Sequence, residues 1–431
     1  MPGATKRLAD VLTSSSKSPA PDDPVLKESV DTVLVEEVAS EECPEGGLRA
    51  WLVVLGVVCG MCATVGLLTA WGTFQAYYQE VELPHESSSN TVSNTKEWSP
   101  WQVSLTRELS LPVFVASAVF VACVFLTAQC TQYWHFVLCQ GFGMGIASGV
   151  FFNMGNMVMA HWFKRRLGLA IACSFGGAGV GGCIFPIIVR ALLHRMSFQW
   201  TMRILGFMAL GLLLVSNLTI ARRLPGTQDL GPLINIVHFK KPAYSIYVAS
   251  LVINNLALFV VFTYLTVSAV GEGVNADVSF YLLAIANAVS ILGRVISGVL
   301  ADRFGPLNLL IPATLLTAVV TFAWPFATNV ASFVVISIFL GISTGATLAL
   351  IVQPFARMGP VSEVGLRIGM GLTVVSIGVI TGLPMSGAIH DGTGSFKDVG
   401  YVGGCTMLLS AALMVVSRRC LLRIEGADWR V

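Results

Sequence analysis

The chain alternates long apolar runs with short polar breaks. Eleven runs approach or reach the roughly 20 apolar residues that a helix needs to cross hydrocarbon. Five precede the middle of the chain, at 51–74, 109–129, 134–159, 167–192 and 201–221. Six follow it, at 243–270, 279–301, 307–324, 331–353, 366–389 and 399–420. The pattern predicts an all-α, polytopic membrane protein. Its parts are a polar tail (1–44), an N-terminal bundle of five helices (45–221), a linker (222–242), a C-terminal bundle of six (243–420) and a short tail (421–431).

Composition supports lipid as the solvent. Of 431 residues, 55% are hydrophobic and 12% charged, with a mean hydropathy of +0.75. An ordinary globular chain is about 25% charged. The net charge of +2 argues against a nucleic-acid partner. Residues 1–44 contain no apolar h-region, so no cleaved signal peptide is expected, and their Ser, Pro, Asp and Glu content reads as a disordered tail. The ten cysteines are scattered. The Cys59–Cys62 pair reads as small packing residues, with a redox motif as the alternative. No disulfide framework, metal-ligand spacing or cofactor is expected.

Charge on the loops predicts orientation. In the second half, alternate loops hold Arg222, Arg223, Lys240 and Lys241, then Arg303, then Arg357 and Arg367, then Arg418, Arg419, Arg423 and Arg430. The opposite loops hold only Lys397. The positive-inside rule puts the linker and the C-terminus in the cytoplasm, together with the Lys164–Arg166 cluster. Arg190 and Arg195 fall on the outer side against the trend. The expected setting is a multi-pass protein of the plasma membrane.

The two halves resemble each other. Gly141, Gly145 and Gly149 recur four apart in one half, and Gly341 and Gly345 in the other. A charged loop, a Gly-rich helix and a proline follow each set, ending at Pro186 and Pro384. Such spacing lets helix backbones approach closely. The repeat predicts six helices per half, so one is missing, and the polar stretch 79–108 is where it should lie. Without it, a cytoplasmic linker would put the N-terminus outside.

The stretch GVLADRFG, Gly298 to Gly305, resembles the cytoplasmic loop signature of the major facilitator superfamily. Pro306-Leu307-Asn308 stand where that family's basic residues usually follow. Gly298 and Gly305 permit close contact and a tight turn, and Asp302 and Arg303 can make charge-assisted bonds. The resemblance implies a gating latch; a solvated loop is the alternative. PEGGLRAWLVVLG (44–56), WFKRRLGLAIACSFGGAGVGGCIFP (162–186) and FQWTMRILGF (198–207) resemble the monocarboxylate-porter branch in its fungal form. That resemblance implies a non-enzymatic carrier of small molecules, working by alternating access, with protons as a candidate symported partner. Fungal relatives of this branch include exporters of biosynthetic-cluster products, and the sequence does not separate import from export. The missing helix keeps a rival open: a membrane sensor, or a carrier that has lost transport.

Arg294 is the expected centre of the site. A charge near mid-span is expensive and needs a reason. Asn287, Ser290 and Arg294 stand at i, i+3 and i+7 on one helical face. In a wet cavity Arg294 could hold a carboxylate bidentately; the alternative is a structural arginine bonded to helix carbonyls. Family resemblance places this position in the central cavity, although the acidic partner of related carriers is replaced by Ser290. Gln75, Tyr78, Asn153 and Asn254 are further candidate substrate ligands, each with interhelical bonding as the alternative. No catalytic motif is present.

Overall fold

The computed structural model describes residues 46–69, 110–221, 236–359 and 363–424. Gln75, Tyr78, the stretch 79–108 and most of the linker lie outside them. Every described element is helical. α1 runs through Leu48–Met61, a π-helical stretch Cys62–Gly66, and Leu67–Thr69. α2 is Ser110–Thr127. α3 comprises Tyr133–Phe136, a second π-helical stretch Val137–Gly143, and Met144–Trp162. α4 is Leu167–Leu193 and α5 is Phe198–Thr219. After a 3-10 turn, Ile236–Lys240, α6 runs from Pro242 to Leu258 and on from Val260 to Gly271. α7 (Ala276–Phe304), α8 (Pro306–Ala323), α9 (Val330–Leu350), α10 (Val364–Thr393) and α11 (Phe396–Ile424) complete the chain.

Ten of these helical stretches are long and apolar enough to cross a membrane. The other, α2, is apolar over the shorter Leu111–Thr127. Each coincides with a span predicted from the sequence.

The polarity is inverted relative to a water-soluble fold. Leu52, Leu55, Phe114, Leu214, Leu218, Val319 and Phe339 face outward. Thr64, Ser148, Thr314 and Thr347 are buried, each hydroxyl donating to the carbonyl one turn earlier in its own helix. In hydrocarbon a polar group must be satisfied inside the protein, and this back-bonding does it.

With no hydrophobic force between helices in lipid, close packing of small residues has to hold them together. Within the first half, a methyl group at Gly177 would lie 2.4 Å from the Val58 carbonyl oxygen, so α4 rides directly on α1. Within the second, methyls at Gly341 and Gly345 would lie 2.4 and 2.2 Å from the carbonyls of Ala286 and Ser290, so α9 rides on α7. Of the repeated glycines seen in the sequence, Gly341 and Gly345 make such a crossing. Pro186 and Pro384 lie inside α4 and α10 and do not end them.

At the linker end, His238 is buried with Nε2 3.3 Å from Glu363 Oε2. Arg367 is wholly buried in the first turns of α10 and is not the loop cation the charge count assumed. Its Nε donates to the Phe355 carbonyl (3.1 Å), and its own carbonyl accepts from the Tyr244 hydroxyl (2.8 Å). Burial pushes the His238 imidazole below the ordinary histidine range; Glu363 pulls it up, while Arg367 and Lys241 act with burial. The folded protein therefore binds this proton less well than the unfolded chain. Stability from His238 is full above about pH 6.5 and fades as the pH falls below it. His238→Gln should flatten the pH dependence of the melting temperature over that acid range, measured on detergent-solubilised protein; an unchanged slope would remove His238 as its source.

Candidate functional site between the two halves

The halves meet most closely where α4 crosses α7. α4 opens without a side-chain cap of its own. Its first backbone amides are instead capped from the other half: Asp302 Oδ1 accepts from Gly168 N (2.7 Å) and Oδ2 from Leu169 N (3.1 Å). A carboxylate suits a helix N-terminus, where unsatisfied N–H groups and the helix dipole favour negative charge.

Two glycines make this contact possible. A methyl at Gly168 would lie 2.6 Å from Asp302 Oδ1 and 2.7 Å from the Gly298 carbonyl. A methyl at Gly298 would lie 2.1 Å from the Ala172 side chain. Gly305 turns the chain into α8 with φ of 88°, a conformation L side chains rarely adopt. Arg303 is exposed and bonds to nothing else among the described residues. Of the two charged positions in the signature, only Asp302 bridges the halves here.

Arg294 lies farther along the same crossing and is only 6% exposed. Its Nη1 donates to the Phe175 carbonyl of α4 at 2.6 Å. A methyl at Gly179 would fall 2.3 Å from that Nη1, so the missing side chain at Gly179 makes room for the guanidinium. The Arg294 Nε is buried without a hydrogen-bond partner. This geometry matches the carbonyl-bonded alternative, with the added feature that the carbonyl belongs to the opposite half.

The other candidates do not converge on Arg294. The Ser290 hydroxyl donates back to the Asn287 carbonyl (2.7 Å), and its backbone is covered by Gly345 of α9. Asn287 is half-buried one turn earlier. Asn254 is fully buried, with both amide atoms unpartnered. It shares a face with Ser250 and Ala257, and that face packs on α11: Ser410 donates to the Ser250 carbonyl (2.8 Å), and Gly403 lies beside Ala257. Asn153 is buried on α3 with Oδ1 unpartnered.

Sequence reasoning missed Gly168, Gly179 and the Phe175 carbonyl. The WFKRRLG and glycine-rich stretches pointed to α4, but only the crossing shows what meets them. A second contact between halves sets Met157 of α3 against Gly365 of α10. It uses a flexible side chain, so it is the softer of the two.

The fold and this seam define a two-part helical membrane protein whose halves touch through a capped helix end and a buried cation. The profile of the Major Facilitator Superfamily matches residues 98–330 and 281–423. The aspyridones efflux protein apdF of Emericella nidulans is 30% identical over 401 residues, covering 91% of this chain and 82% of that protein. The riboflavin transporter MCH5 of Saccharomyces cerevisiae is also 30% identical, over 89% of this chain and 81% of that one. Among solved structures, the human organic anion transporter MFSD10 superposes with a TM-score of 0.66 at 12% identity, covering 86% of this chain and 100% of that one. FucP in its outward conformation gives 0.61 at 14% identity, covering 85% and 98%. The structural likenesses speak to the fold. The chain belongs to the Major Facilitator Superfamily, a family of membrane transporters.

Loss of a side-chain helix cap costs about 0.5–2 kcal/mol. Asp302→Ala should therefore lower the melting temperature of the purified protein, and Asp302→Asn, which keeps an acceptor, should lower it less. Equal stability of all three proteins would show that the α4 cap contributes nothing.

Proposed function

We propose that this chain is a secondary active transporter of a small organic anion, working by alternating access as one half rocks against the other. The observation that carries the reading is the α4–α7 seam. There a buried arginine with an idle Nε lies between two halves joined at one end by a single carboxylate cap.

In the state described, the Arg294 guanidinium donates to one backbone oxygen. A carboxylate offers two acceptor oxygens in a geometry that fits the guanidinium fork and makes a stronger, charge-assisted pair. An arriving anion would draw Arg294 off the Phe175 carbonyl and release a bond between the halves. Binding would thus favour the state in which the seam is open, and a ligand shifts an equilibrium only through such differential contacts. The Asp302 cap would act as the latch of the closed end.

Two named relatives narrow the cargo. One is an efflux protein for aspyridones and the other a riboflavin transporter. Both support a small metabolite as cargo, and the first supports efflux as its direction; the acidic group rests on Arg294 and on the sequence resemblance to the fungal monocarboxylate-porter branch. The positive-inside reading sets the linker and C-terminus on the cytoplasmic side of the plasma membrane. Among the described residues every Asp and Glu in a spanning helix sits at a helix end, so symport with protons would have no mid-span carboxylate to use.

A non-transporting sensor is the second reading, favoured by one feature. The described chain has eleven apolar helices, whereas the internal repeat calls for six in each half. The place of the missing one, 79–108, lies outside the described residues.

In proteoliposomes, Arg294→Ala should reduce transport of a monocarboxylate test anion by at least tenfold while the protein still elutes as a folded species. Transport unchanged in Arg294→Ala would take the arginine out of the binding site. No transport by the unsubstituted protein, across a panel of carboxylates and flavins with and without a pH gradient, would favour the sensor.

A further inference from the structure

We propose that Asn156 of α3 is a specificity-determining residue of the binding site: its amide oxygen selects cargo that carries an O–H or N–H donor besides its acidic group. The inference rests on the anion reading above and names a second feature of the same cargo.

Packing partners fix which way each side of α3 points. Met144–Trp162 is regular α-helix, which turns about 100° per residue. Phe151 and Gly155 meet α1, at Gly60 and Val57. Phe152 meets α4, its ring edge-to-face with that of Phe175 at 5.4 Å and 84°. Met157 meets Gly365 of α10, in the other half. Asn156 stands about 40° past Phe152, and Asn153 about 40° short of Met157. Both amides therefore project between α4 and α10, toward the second half. Asn156 is 1% exposed and Asn153 4%.

The free atom of Asn156 is fixed by chemistry. Its Nδ2 donates to the Phe152 carbonyl one turn earlier, at 2.8 Å. A carbonyl only accepts, so the amide cannot be turned over, and the end left free is Oδ1. That oxygen is buried and has no hydrogen-bond partner. Asn153 Oδ1, three residues earlier, is likewise buried and unpartnered.

Arg294 lies one aromatic pair away. Its Nη1 donates to the Phe175 carbonyl, the Phe175 ring meets Phe152, and the Phe152 carbonyl holds Asn156. Phe175 is buried, whereas Phe152 is only half-buried although it faces α4 and not lipid. A cargo with its carboxylate on Arg294 would lay its apolar body along the Phe152–Phe175 pair and bring its other end to Asn156. Whatever fills that place must donate to Oδ1 or leave a buried acceptor unpaired. A ligand that displaces water there without replacing its hydrogen bond loses affinity. The expected cargo is an organic acid with an apolar or aromatic middle and a hydroxyl or N–H at the end away from its carboxylate.

Three pairs of anions test this on purified full-length protein by isothermal titration calorimetry. They are 4-hydroxybenzoate, 4-hydroxyphenylacetate and 3-(4-hydroxyphenyl)propionate, each against the parent acid without the hydroxyl. The unsubstituted protein should bind the hydroxylated member of at least one pair roughly tenfold or more tightly. Asn156→Leu, similar in shape but without the acceptor, should bring that ratio to about one, and Asn156→Ala should do the same. Asn156→Leu should not melt earlier than the unsubstituted protein, because it removes an unpaired buried acceptor. Arg294→Ala should instead weaken both members of a pair alike. Ratios near one in all three pairs, or a preference that survives both Asn156 substitutions, would overturn the role of Asn156 and leave the anion reading standing. Failure of all six anions to bind the unsubstituted protein would overturn both.

Discussion

The approach of α4 to α7 is the constraint on which the arrangement of the two halves depends. Helices in lipid gain little by burying apolar surface, because the lipid tails are equally apolar. They gain by close contact and by satisfying polar groups. At this crossing both occur over a short length. Gly168 and Gly298 bring the backbones together, and that proximity lets the Asp302 carboxylate reach amides at the start of α4. Farther along, Gly179 opens the space that the Arg294 guanidinium fills. Each polar bond across the seam therefore depends on a glycine beside it. A bulkier residue would separate the helices and leave a carboxylate, a guanidinium or helix-end amides without a partner.

The energetics favour a seam that can open. A hydrogen bond to a charged group is worth about 1.5–3 kcal/mol. The Arg294–Phe175 bond is one of these, and it is offset by desolvation of a guanidinium whose Nε stays unpaired. The bond is thus marginal where a fully satisfied ion pair would be strong. The Asp302 cap lies at a helix terminus and is half-exposed, so water can replace the protein groups when it breaks. Neither contact demands that the halves remain together.

Periodicity and composition made the helices legible, because an apolar run of spanning length has one outcome in a bilayer. The recurring glycines announced close crossings, and the Gly298–Gly305 stretch pointed to Asp302. The sequence could not say which helix each face meets. Asn287, Ser290 and Arg294 share a helical face on paper, yet Ser290 is covered by α9 while Arg294 reaches across to α4. Asn254 is polar and mid-span, and its neighbours Ser250 and Ala257 meet α11, a pairing that its own sequence position does not disclose. Arg367 was counted with the loops because it follows a polar break, and it is buried beneath Phe355 and Tyr244.

Differences among the crossings indicate where the molecule would part. Inside each half, glycines press onto backbone carbonyls: Gly177 onto Val58, Gly341 onto Ala286 and Gly345 onto Ser290. Backbone against backbone cannot relax by changing a rotamer, so these pairs move as units. Between the halves the α4–α7 contacts described run from Gly168 to Gly179, about 16 Å of a helix some 40 Å long at the standard rise. The other crossing between halves presses Gly365 onto Met157, a side chain with several rotatable bonds that can follow a moving partner. Gly168 and Gly298 also press onto each other's backbone carbonyls across the seam, so between the halves Met157–Gly365 is the contact that yields most readily. A rocking motion that breaks the Asp302 cap and turns about the Gly179 region would leave the α1–α4 and α7–α9 pairs intact. Arg294 would then sit beside the pivot, where a small rotation changes which oxygen lies nearest its guanidinium.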